Sequence, residues 1–237
     1  ILMEHRIVSL IASSTEIVCA LGFENQLVGR SHECDFPESV TKLPVCTSPK
    51  FKTDGSSIEI DQRVKSILQN ALSVYCVDEN LLKELNPTVI ITQSQCEVCA
   101  VSLEDVKQAV CNWIDSKTTI VSLEPNALGD IWKDILKIAS ALDAEKQGKV
   151  LIENLQSRMH DIEQKTQNLI NKPTVACIEW IEPLMAAGNW MPTLVQMAGG
   201  QNLFGKAGKH SPWITWYDLV LKNPDIILIL PCGFDIH

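Results

Sequence analysis

The sequence of 237 residues lacks three features that would place it in a large functional class. It has no run of about 18 apolar residues, so no segment is expected to span a membrane as a helix. Lysine and arginine nowhere cluster and the formal net charge is −9. This argues against nucleic acid as a partner, because phosphate contacts need basic patches. The Gly-x-Ser-x-Gly, His-Glu-x-x-His and glycine-rich phosphate-binding signatures are also absent, so no common class of enzyme is indicated.

The sequence also has no N-glycosylation site, since the one Asn-x-Thr triplet, at Asn86, is excluded by its central proline. Its nine cysteines are an odd number and cannot all be paired within one chain. Cys19 and Cys177 lie in apolar segments, where a reduced cysteine behaves as a small hydrophobic residue. Segment 6–21 is apolar but is interrupted by serine, threonine and glutamate, unlike a secretory signal. We therefore expect a cytoplasmic protein; the alternative is a periplasmic or extracellular one, after removal of a signal peptide ahead of Ile1.

Two stretches of the sequence are repeated in the same order. Residues 15–29 are echoed by residues 193–205, and residues 82–91 by residues 220–229. Each pattern indicates a short helix, a turn and a strand. The common order favours internal duplication over chance, although Asn-Pro turns before strands are frequent. Two similar lobes are therefore predicted, with a ligand cleft between them, since clefts between lobes are frequent ligand sites.

Apolar runs alternate with helical spacing in the first half of the chain. The runs 6–10, 27–30, 88–92 and 118–123 predict strands, and the alternation favours an α/β fold with a parallel sheet. The ligand-binding groups of such a sheet lie at the carboxyl ends of its strands. Residues 13–16 are expected to cap the first helix.

A long helix is predicted near the middle of the chain. No proline occurs between Asn126 and Lys172, and apolar residues recur on one helical face. A helix over residues 144–170 would be roughly 40 Å long, enough to run the height of both lobes. The sequence thus predicts two Rossmann-like lobes with parallel sheets bridged by one long α-helix. The predicted domains are an N-terminal α/β lobe (3–125), a helical segment (126–172) and a C-terminal α/β lobe (173–237). The strand 225–230 is apolar enough to need cover on both faces, so we expect that this last lobe lacks a terminal helix and strand.

Polar and aromatic residues follow the predicted strands, where the loops of a doubly wound fold share one edge of the sheet. Tryptophan supplies flat apolar area with one N–H group, which suits a large planar ligand. Trp216, by contrast, is expected in the core beside Leu219. The predicted ligand-binding residues are His32, Glu33, Cys34, Gln93, Cys96, Glu179, Trp180, Trp190, Trp213 and Cys232.

The Cys96-x-x-Cys99 motif leaves three interpretations open. It is half of a metal site that His32, Cys34, His210 or Cys232 completes, a redox pair beside a helix that Ser102 begins, or two packed thiols. Loop histidines more often form surface hydrogen bonds than bind metals. The predicted metal ligands are His32, Cys34, Cys96, Cys99 and His210.

Several segments match one pattern together: residues 6–10 with 14–17 and 21–22, 29–37 with 42–44, 85–91, 198–204 and 223–228. In these segments the chain resembles the helical-backbone class of substrate-binding proteins of ABC transporters, which includes those for cobalamin, ferric siderophores and haem. The resemblance covers nearly the whole chain and implies two α/β lobes bridged by a long helix, a small-molecule ligand and no enzymatic activity.

A closer likeness is to a branch of this class that is usually labelled cobalamin-binding. It is carried by residues 31–35, 92–102, 177–180 and 231–235. The likeness implies a corrinoid ligand. Members of the branch continue beyond the Cys-Gly-Phe-Asp motif, which supports the expectation that the C-terminal lobe is truncated.

One departure from the class concerns its partner. Transport members carry a glutamate at each lobe tip that contacts arginines of the membrane permease. The matching positions here are Asn80 and Tyr217, with Glu79 and Asp218 adjacent. The resemblance therefore leaves docking to an ABC permease as one possibility and a cytoplasmic carrier as the other.

The function that we expect is binding of a corrinoid (cobalamin-like) or related metal-containing cofactor, as part of an ABC uptake system or as a carrier. An imidazole or thiolate can take an axial position on such a metal, although contacts with the amide fringe of a corrinoid need no such bond. Two alternatives stay open: a binding protein for zinc or iron ions, and a thiol- or metal-dependent enzyme that uses Cys96, Cys99 and His32.

Overall fold

The alternation of strands and helices is present in the computed structural model of the protein, which describes residues 4–68, 74–94, 103–110 and 118–234. The strands are β1 (Ile7–Ser9), β2 (Leu27–Arg30), β3 (Thr47–Pro49), β4 (Tyr75–Val77), β5 (Val89–Gln93), β6 (Thr119–Leu123), β7 (Thr174–Trp180), β8 (Met185–Ala186), β9 (Gln201–Asn202) and β10 (Ile226–Ile229). The helices are α1 (Ala12–Ala20), α2 (Ser57–Leu68), α3 (Glu79–Leu85), α4 (Leu103–Val110), α5 (Leu128–Ala141), α6 (Glu145–Thr166), α7 (Met191–Met197) and α8 (Trp216–Lys222).

The chain divides into two compact units. Unit 1 contains most of the described residues up to Leu151, and unit 2 contains most of those from Ile152 onward. The short segments Gly55–Asp61 and Pro125–Trp132 also belong to unit 2. The domain boundaries that we inferred from the sequence stay predictions.

The sheet of unit 1 has the strand order β2-β1-β5-β6, and every pair in it is parallel. Successive residues of a strand face opposite sides of the sheet. Ile7 accordingly lies in a core that also holds residues of α1 and α5, whereas Val8 lies in a second core with residues of α3 and α4. Both faces are covered, which explains why the strands are continuous apolar runs rather than alternating ones.

The predicted cap of α1 by residues 13–16 is wrong. The N-cap residue is Ile11, which has no side-chain capping bond. Ser14 and Thr15 lie within the first turn, and their hydroxyls are 2.6 and 2.7 Å from Oγ of Ser9. Ser9 is fully buried, and a buried hydroxyl needs partners, so these side chains serve the interior rather than the helix end.

Helix α6 is the longest of the described helices, with 22 residues, which corresponds to about 33 Å. It is shorter than the predicted helix over 144–170. Its residues up to Leu151 belong to unit 1 and the later ones to unit 2. A Cβ atom at Gly148 would lie 2.7 Å from the Cβ of Ala139, so glycine allows the start of α6 to pack closely on α5. At the other end, Thr166 donates a 2.8 Å hydrogen bond to Met197 O.

The sheet of unit 2 is mixed. β7 pairs in parallel with β10 and β9 but antiparallel with β8. The two-residue strand β8 is therefore an antiparallel addition to a sheet whose other pairs are parallel, as the sequence predicts. Only residues 181–184 join β7 to β8, and so short a connection permits a hairpin but not the crossover that parallel strands need.

Strand β10 is exposed along its whole length. Its four residues, Ile226 to Ile229, are between 40% and 64% exposed. The echoed strand of unit 1, β5, is entirely buried between β1 and β6. Within the described part of the chain, β10 has a strand on one side only, β7. The expectation of a missing terminal strand and helix stays a prediction.

The echoed helix–strand segments have the same local structure. α3 ends at Asn86 (φ 43°, ψ 61°) and α8 at Asn223 (φ 42°, ψ 62°). Each asparagine precedes a proline and follows a buried leucine by four positions, Leu82 in α3 and Leu219 in α8. Asparagine tolerates the left-handed conformation better than most residues, so the repeated Asn-Pro pair ends both helices in the same way.

Candidate functional site

The carboxyl ends of β1, β2, β5 and β6 lie together because these strands are parallel neighbours. We call the residues at these ends the unit 1 edge. They are Ser9, Ser31, His32, Glu33, Cys34, Gln93, Ser94 and Glu124.

His32 is half-buried and is oriented by its neighbours. Its backbone N–H donates to Oγ1 of Thr47 at 3.1 Å, and its Nδ1 lies 2.8 Å from the same oxygen. Thr47 donates its own proton to Oγ of Ser31 at 3.1 Å. Nδ1 is therefore the donor to Thr47. The imidazole also packs against the ring of Tyr75, with 5.2 Å between the centroids.

Nε2 of His32 lies 3.2 Å from Oε1 of Glu33. This contact has the geometry of an ion pair rather than of a directed hydrogen bond, since Nε2 is buried without a hydrogen-bond partner. The imidazole lowers the pKa of Glu33, against the opposing effect of burial. The unit 1 edge therefore carries a carboxylate that stays ionised to a lower pH than an isolated glutamate does.

Cys34 is 1% exposed, so its thiol is part of the interior. The hydroxyl of Thr15 donates to its sulfur at 3.0 Å, and burial raises the pKa of the thiol. Arg30 holds the loop around it through bonds to Ser31 O and Cys34 O, at 3.0 and 3.1 Å. The predicted role of Cys34 as a ligand would require this loop to open.

The remaining groups of the unit 1 edge come from β5 and β6. Ser122 donates to Oγ of Ser94 at 2.9 Å, and Ser94 donates to the carboxylate of Glu124. Gln93, the last residue of β5, is 2% exposed. Glu124 is exposed and adds a second carboxylate to this edge.

The second group of predicted residues lies in unit 2, where β7 ends. We call Glu179, Trp180, Gly188, His210, Ser211, Trp213, Cys232 and Phe234 the unit 2 edge. Oε2 of Glu179 accepts a 2.6 Å hydrogen bond from Ser211, whose oxygen accepts one of 3.0 Å from Gly188 N–H. Cys232 is exposed, with its sulfur 4.0 Å from Oε1 of Glu179. These contacts join the end of β7 to three loops.

Four aromatic residues that the sequence singled out differ in their surroundings. Trp180 is half-buried and meets Phe234 edge to face at 5.7 Å between ring centroids, while Nε1 of Trp180 donates to Glu182 O. Trp190 is half-buried and precedes α7. Trp213 is 57% exposed. The prediction of a core position for Trp216 is wrong, since it is also 57% exposed; it opens α8, and Leu219 takes the buried position instead.

His210 is exposed, and its Nδ1 lies 3.0 Å from Ser211 O. A carbonyl oxygen accepts only, so Nδ1 is the donor. In the neutral ring Nε2 then carries the lone pair.

The predicted metal site is not assembled by the described residues. Among them, no three histidine, cysteine, aspartate or glutamate side chains come close enough to hold an ion. Cys96, Cys99 and Ser102 lie outside the described residues, so the interpretations of the Cys-x-x-Cys motif stay predictions.

Sequence reasoning missed Ser211 and Thr47, which organise the two edges. Each is a single polar residue next to a proline or a cysteine, and neither forms a pattern. The one available signal was their neighbours, since His210 and Cys46 are residue types that often mark sites. Their partners lie 32 and 16 positions away, a distance that no local motif encodes.

Two α/β units, each with polar side chains at the carboxyl edge of its sheet and the second with aromatic ones as well, are typical of two-lobed ligand-binding proteins. The chain belongs to the periplasmic binding protein family, which it matches over residues 7–235. The resemblance to substrate-binding proteins of ABC transporters is thereby confirmed. The family also confirms the prediction of a binding protein rather than an enzyme.

Curated relatives are distant but extend over nearly the whole chain. An uncharacterised ABC transporter substrate-binding lipoprotein, YvrC of Bacillus subtilis (strain 168), is 21% identical over 231 residues, which cover 94% of this chain and 62% of the relative. A vitamin B12-binding protein of Vibrio vulnificus (strain CMCP6) is 22% identical over 228 residues, which cover 96% of this chain and 71% of the relative. The chain thus spans less than two thirds of the first relative's length.

Solved structures show the same fold. A periplasmic heme-binding protein from Pseudomonas aeruginosa superimposes with a TM-score of 0.71 at 17% identity, over 98% of this chain and 74% of the other. At this identity the likeness establishes the fold and leaves the ligand open.

The prediction of a cytoplasmic protein is wrong. The family is that of periplasmic binding proteins, and one relative is named a lipoprotein. The inference from unpaired cysteines failed for a physical reason. Cys34, Cys46 and Cys177 are buried, and buried thiols are protected from oxidation without being paired. None of the helices in the described part of the chain has the length and apolarity that a membrane span needs.

Proposed function

We propose that this chain is the ligand-binding part of an ABC importer's substrate-binding protein, located outside the cytoplasmic membrane, and that its ligand is a corrinoid. The observation that supports this most is the unit 2 edge. There, aromatic faces at Trp180, Trp213 and Phe234 accompany a carboxylate at Glu179 that two neighbours hold in place. A corrinoid is a large, partly apolar ring with an amide fringe, and it needs both kinds of surface.

The carboxylates favour a corrinoid over haem. Glu33 and Glu124 are acceptors at the unit 1 edge, and Glu179 is an acceptor at the unit 2 edge. The amide N–H groups of a corrinoid are donors that either edge can bind. The two propionates of haem would instead meet like charge, which is unfavourable at short range. The net charge of −9 acts in the same direction.

Haem is the second candidate, and one observation favours it. Lys206 and Lys209 are exposed on the loop that leads to His210. Cations at this place would attract carboxylates of a ligand. The heme-binding structural neighbour has the same fold, so the fold itself does not argue against haem.

The experiment is a titration of the full-length protein with cobalamin, cobinamide and haem, followed by tryptophan fluorescence and absorbance. We expect saturable quenching, strongest with a corrinoid. Trp213→Ala should weaken binding by tenfold or more. Trp216→Ala is the matched control, because both indoles are 57% exposed but Trp216 lies on α8, and it should change the affinity less than twofold. Absence of saturable binding to all three ligands would refute the proposal.

We further propose that the permease contact in unit 1 is made by Glu79. It is exposed at the first turn of α3 and has no hydrogen bond in the described structure. Asp218 is the corresponding candidate on α8. Its carboxylate already accepts hydrogen bonds from the N–H and the hydroxyl of Thr215, so it is a poorer partner for a permease arginine. Glu79→Ala should abolish capture of the protein by its permease in proteoliposomes, whereas Glu84→Ala on the same helix should not. Equal capture of both variants would exclude Glu79.

A further inference from the structure

We propose that Lys206 and Lys209 bind an oxyanion of the ligand, and that in a corrinoid this group is the phosphodiester of the nucleotide loop. The inference rests on the proposed function, because it concerns a second group of the same ligand. It has a consequence for specificity. The protein would distinguish a complete corrinoid from one that lacks the nucleotide, which contacts with the ring alone do not do.

The two lysines occupy the first and last positions of one β-turn. Lys209 N–H donates to Lys206 O at 3.0 Å, and Gly208, at the third position, has a φ of 72°. A positive φ at this position is typical of a type II turn, and a β-turn brings its first and last Cα atoms within about 7 Å of each other. Both lysines are exposed, so their ammonium groups can converge on one anion.

This turn is held firmly against the loop that precedes α7. Asn189 N–H donates to Lys209 O at 2.7 Å, and Gly208 N–H donates to Asn189 O at 2.9 Å. The two segments approach so closely that a Cβ atom at Gly188 would lie 2.5 Å from Lys209 O. A backbone that is fixed in this way before the ligand arrives loses little conformational entropy on binding.

The turn is also a local positive region in an acidic protein. The formal net charge of the chain is −9, yet no acidic residue occurs between Glu182 and Asp218. The two lysines of this stretch are those of the turn. Neither of them forms an ion pair with another residue that the structure describes. Their charge is therefore left for a group from outside the protein.

Aromatic side chains adjoin the positive turn. Trp190 is half-buried and follows Asn189 directly, and the 57% exposed Trp213 lies four residues after Lys209. A ligand that fits has a broad apolar ring and an anionic appendage. The nucleotide loop of a cobalamin carries one phosphodiester, whose oxygens accept charge-assisted hydrogen bonds from ammonium groups. The propionates of haem are the other source of an oxyanion, so the experiment includes both ligands.

The experiment follows tryptophan quenching of the full-length protein by cyanocobalamin, by dicyanocobinamide, which has the same ring without the nucleotide, and by ferric haem. The double variant Lys206→Gln/Lys209→Gln should bind cyanocobalamin at least about tenfold more weakly than the wild type, since hydrogen bonds to charged groups are lost. Its affinity for dicyanocobinamide should change less than twofold.

Two controls separate the charge of the turn from its structure. Lys222→Gln changes an exposed lysine in the last turn of α8 and should bind both corrinoids like the wild type. Lys206→Arg/Lys209→Arg keeps both charges and should retain most of the affinity for cyanocobalamin. Added salt should weaken the binding of cyanocobalamin to the wild type more than to the glutamine variant, because salt screens exposed charges.

The outcomes distinguish this inference from the proposed function. If the wild type and the glutamine variant bind both corrinoids equally well, the lysines do not bind the phosphodiester and the proposed function stands. An equal loss of affinity for both corrinoids also overturns the inference, because the lysines then act on the shared ring. Binding of haem alone, weakened by the glutamine substitutions, would assign the turn to propionates and refute the corrinoid as well. If no ligand quenches the fluorescence, both proposals fall.

Discussion

Ser211 donates a 2.6 Å hydrogen bond to Oε2 of Glu179 although 32 positions separate the two residues in the sequence. The serine is 4% exposed, and its oxygen also accepts the N–H of Gly188. A single hydroxyl thus connects the carboxyl end of β7 with two loops. Because His210 precedes this serine, the contact also sets the position of the imidazole.

Removal of this hydroxyl should destabilise unit 2. In Ser211→Ala the N–H of Gly188 and the carboxylate of Glu179 lose a buried partner, which costs about 1–3 kcal/mol. The measurement is the free energy of unfolding in urea. Ser39→Ala is the control, because the hydroxyl of Ser39 bonds to Glu24 at the surface, and it should change stability by less than about 0.5 kcal/mol. Equal effects of the two substitutions would contradict the role of Ser211.

The two left-handed asparagines should respond alike. Asn86 and Asn223 have φ values of 43° and 42°, and a residue other than glycine, asparagine or aspartate pays about 1–2 kcal/mol there. Asn86→Ala and Asn223→Ala should each lower the unfolding free energy by this amount, whereas the glycine variants should be close to neutral. Asn154→Ala, within α6, should cost nothing. The prediction fails if alanine and glycine are equivalent at both positions.

The reactivity of the cysteine thiols should decrease as their burial increases. Burial raises the pKa of Cys19 to about 11 and that of Cys46 to about 12, so at pH 8 the thiolate of Cys46 is populated to roughly one part in ten thousand. Cys76 and Cys232 are exposed. Iodoacetamide at pH 8, followed by peptide mass spectrometry, should label Cys76 and Cys232 first and Cys46 after unfolding. Labelling of Cys46 in the native protein at the rate of Cys76 would contradict this.

Acid should destabilise the protein partly through Asp225. Its carboxylate accepts the hydroxyl and the N–H of Thr174 at 2.7 Å each. Hydrogen bonding to the side chain and then to the backbone of Thr174 lowers the pKa of Asp225 in the folded state. A lowered folded-state pKa means that unfolding takes up a proton in acid, so the stability is present above the ordinary pKa and is lost as pH falls.

The test is the urea midpoint between pH 7 and pH 3. Asp225→Asn should reduce the midpoint at pH 7 and flatten its fall toward pH 3. Asp161→Asn is the control, since Asp161 is exposed on α6 and accepts no hydrogen bond in the described structure. An unchanged pH profile in Asp225→Asn would show that the contact with Thr174 does not persist in solution.

The sequence predicts the central strands well and the polar details poorly, for physical reasons. Ile7 to Leu10, interrupted only by Ser9, and Val89 to Ile91 are apolar runs, and such runs are buried on both faces when they lie inside a parallel sheet. The two-residue strand β8 has no such pattern and forms because a short connection returns it beside β7. Neither Trp216 nor the first turn of α1 could be placed, since hydrophobicity does not reveal which neighbour takes the buried position.

The candidate site was likewise predictable in its location but not in its polar contacts. Loops that follow strands were predictable, because the parallel order brings strand ends to one edge, and Glu179 and His32 lie at such ends. How exposed each side chain is could not be predicted. Cys34 and Trp213 both lie in polar loops shortly after a histidine, yet Cys34 is buried and Trp213 is exposed. The hydroxyls that hold His32 and Glu179 in place, those of Thr47 and Ser211, come from residues distant in the sequence.

The exposed edge of β10 favours association between molecules at high concentration. Among the described residues, Ile226 to Ile229 pair with a strand on one side only and carry exposed apolar side chains. A strand edge of this kind is a template for pairing with another chain. Two molecules are therefore expected to associate through β10 as the concentration rises.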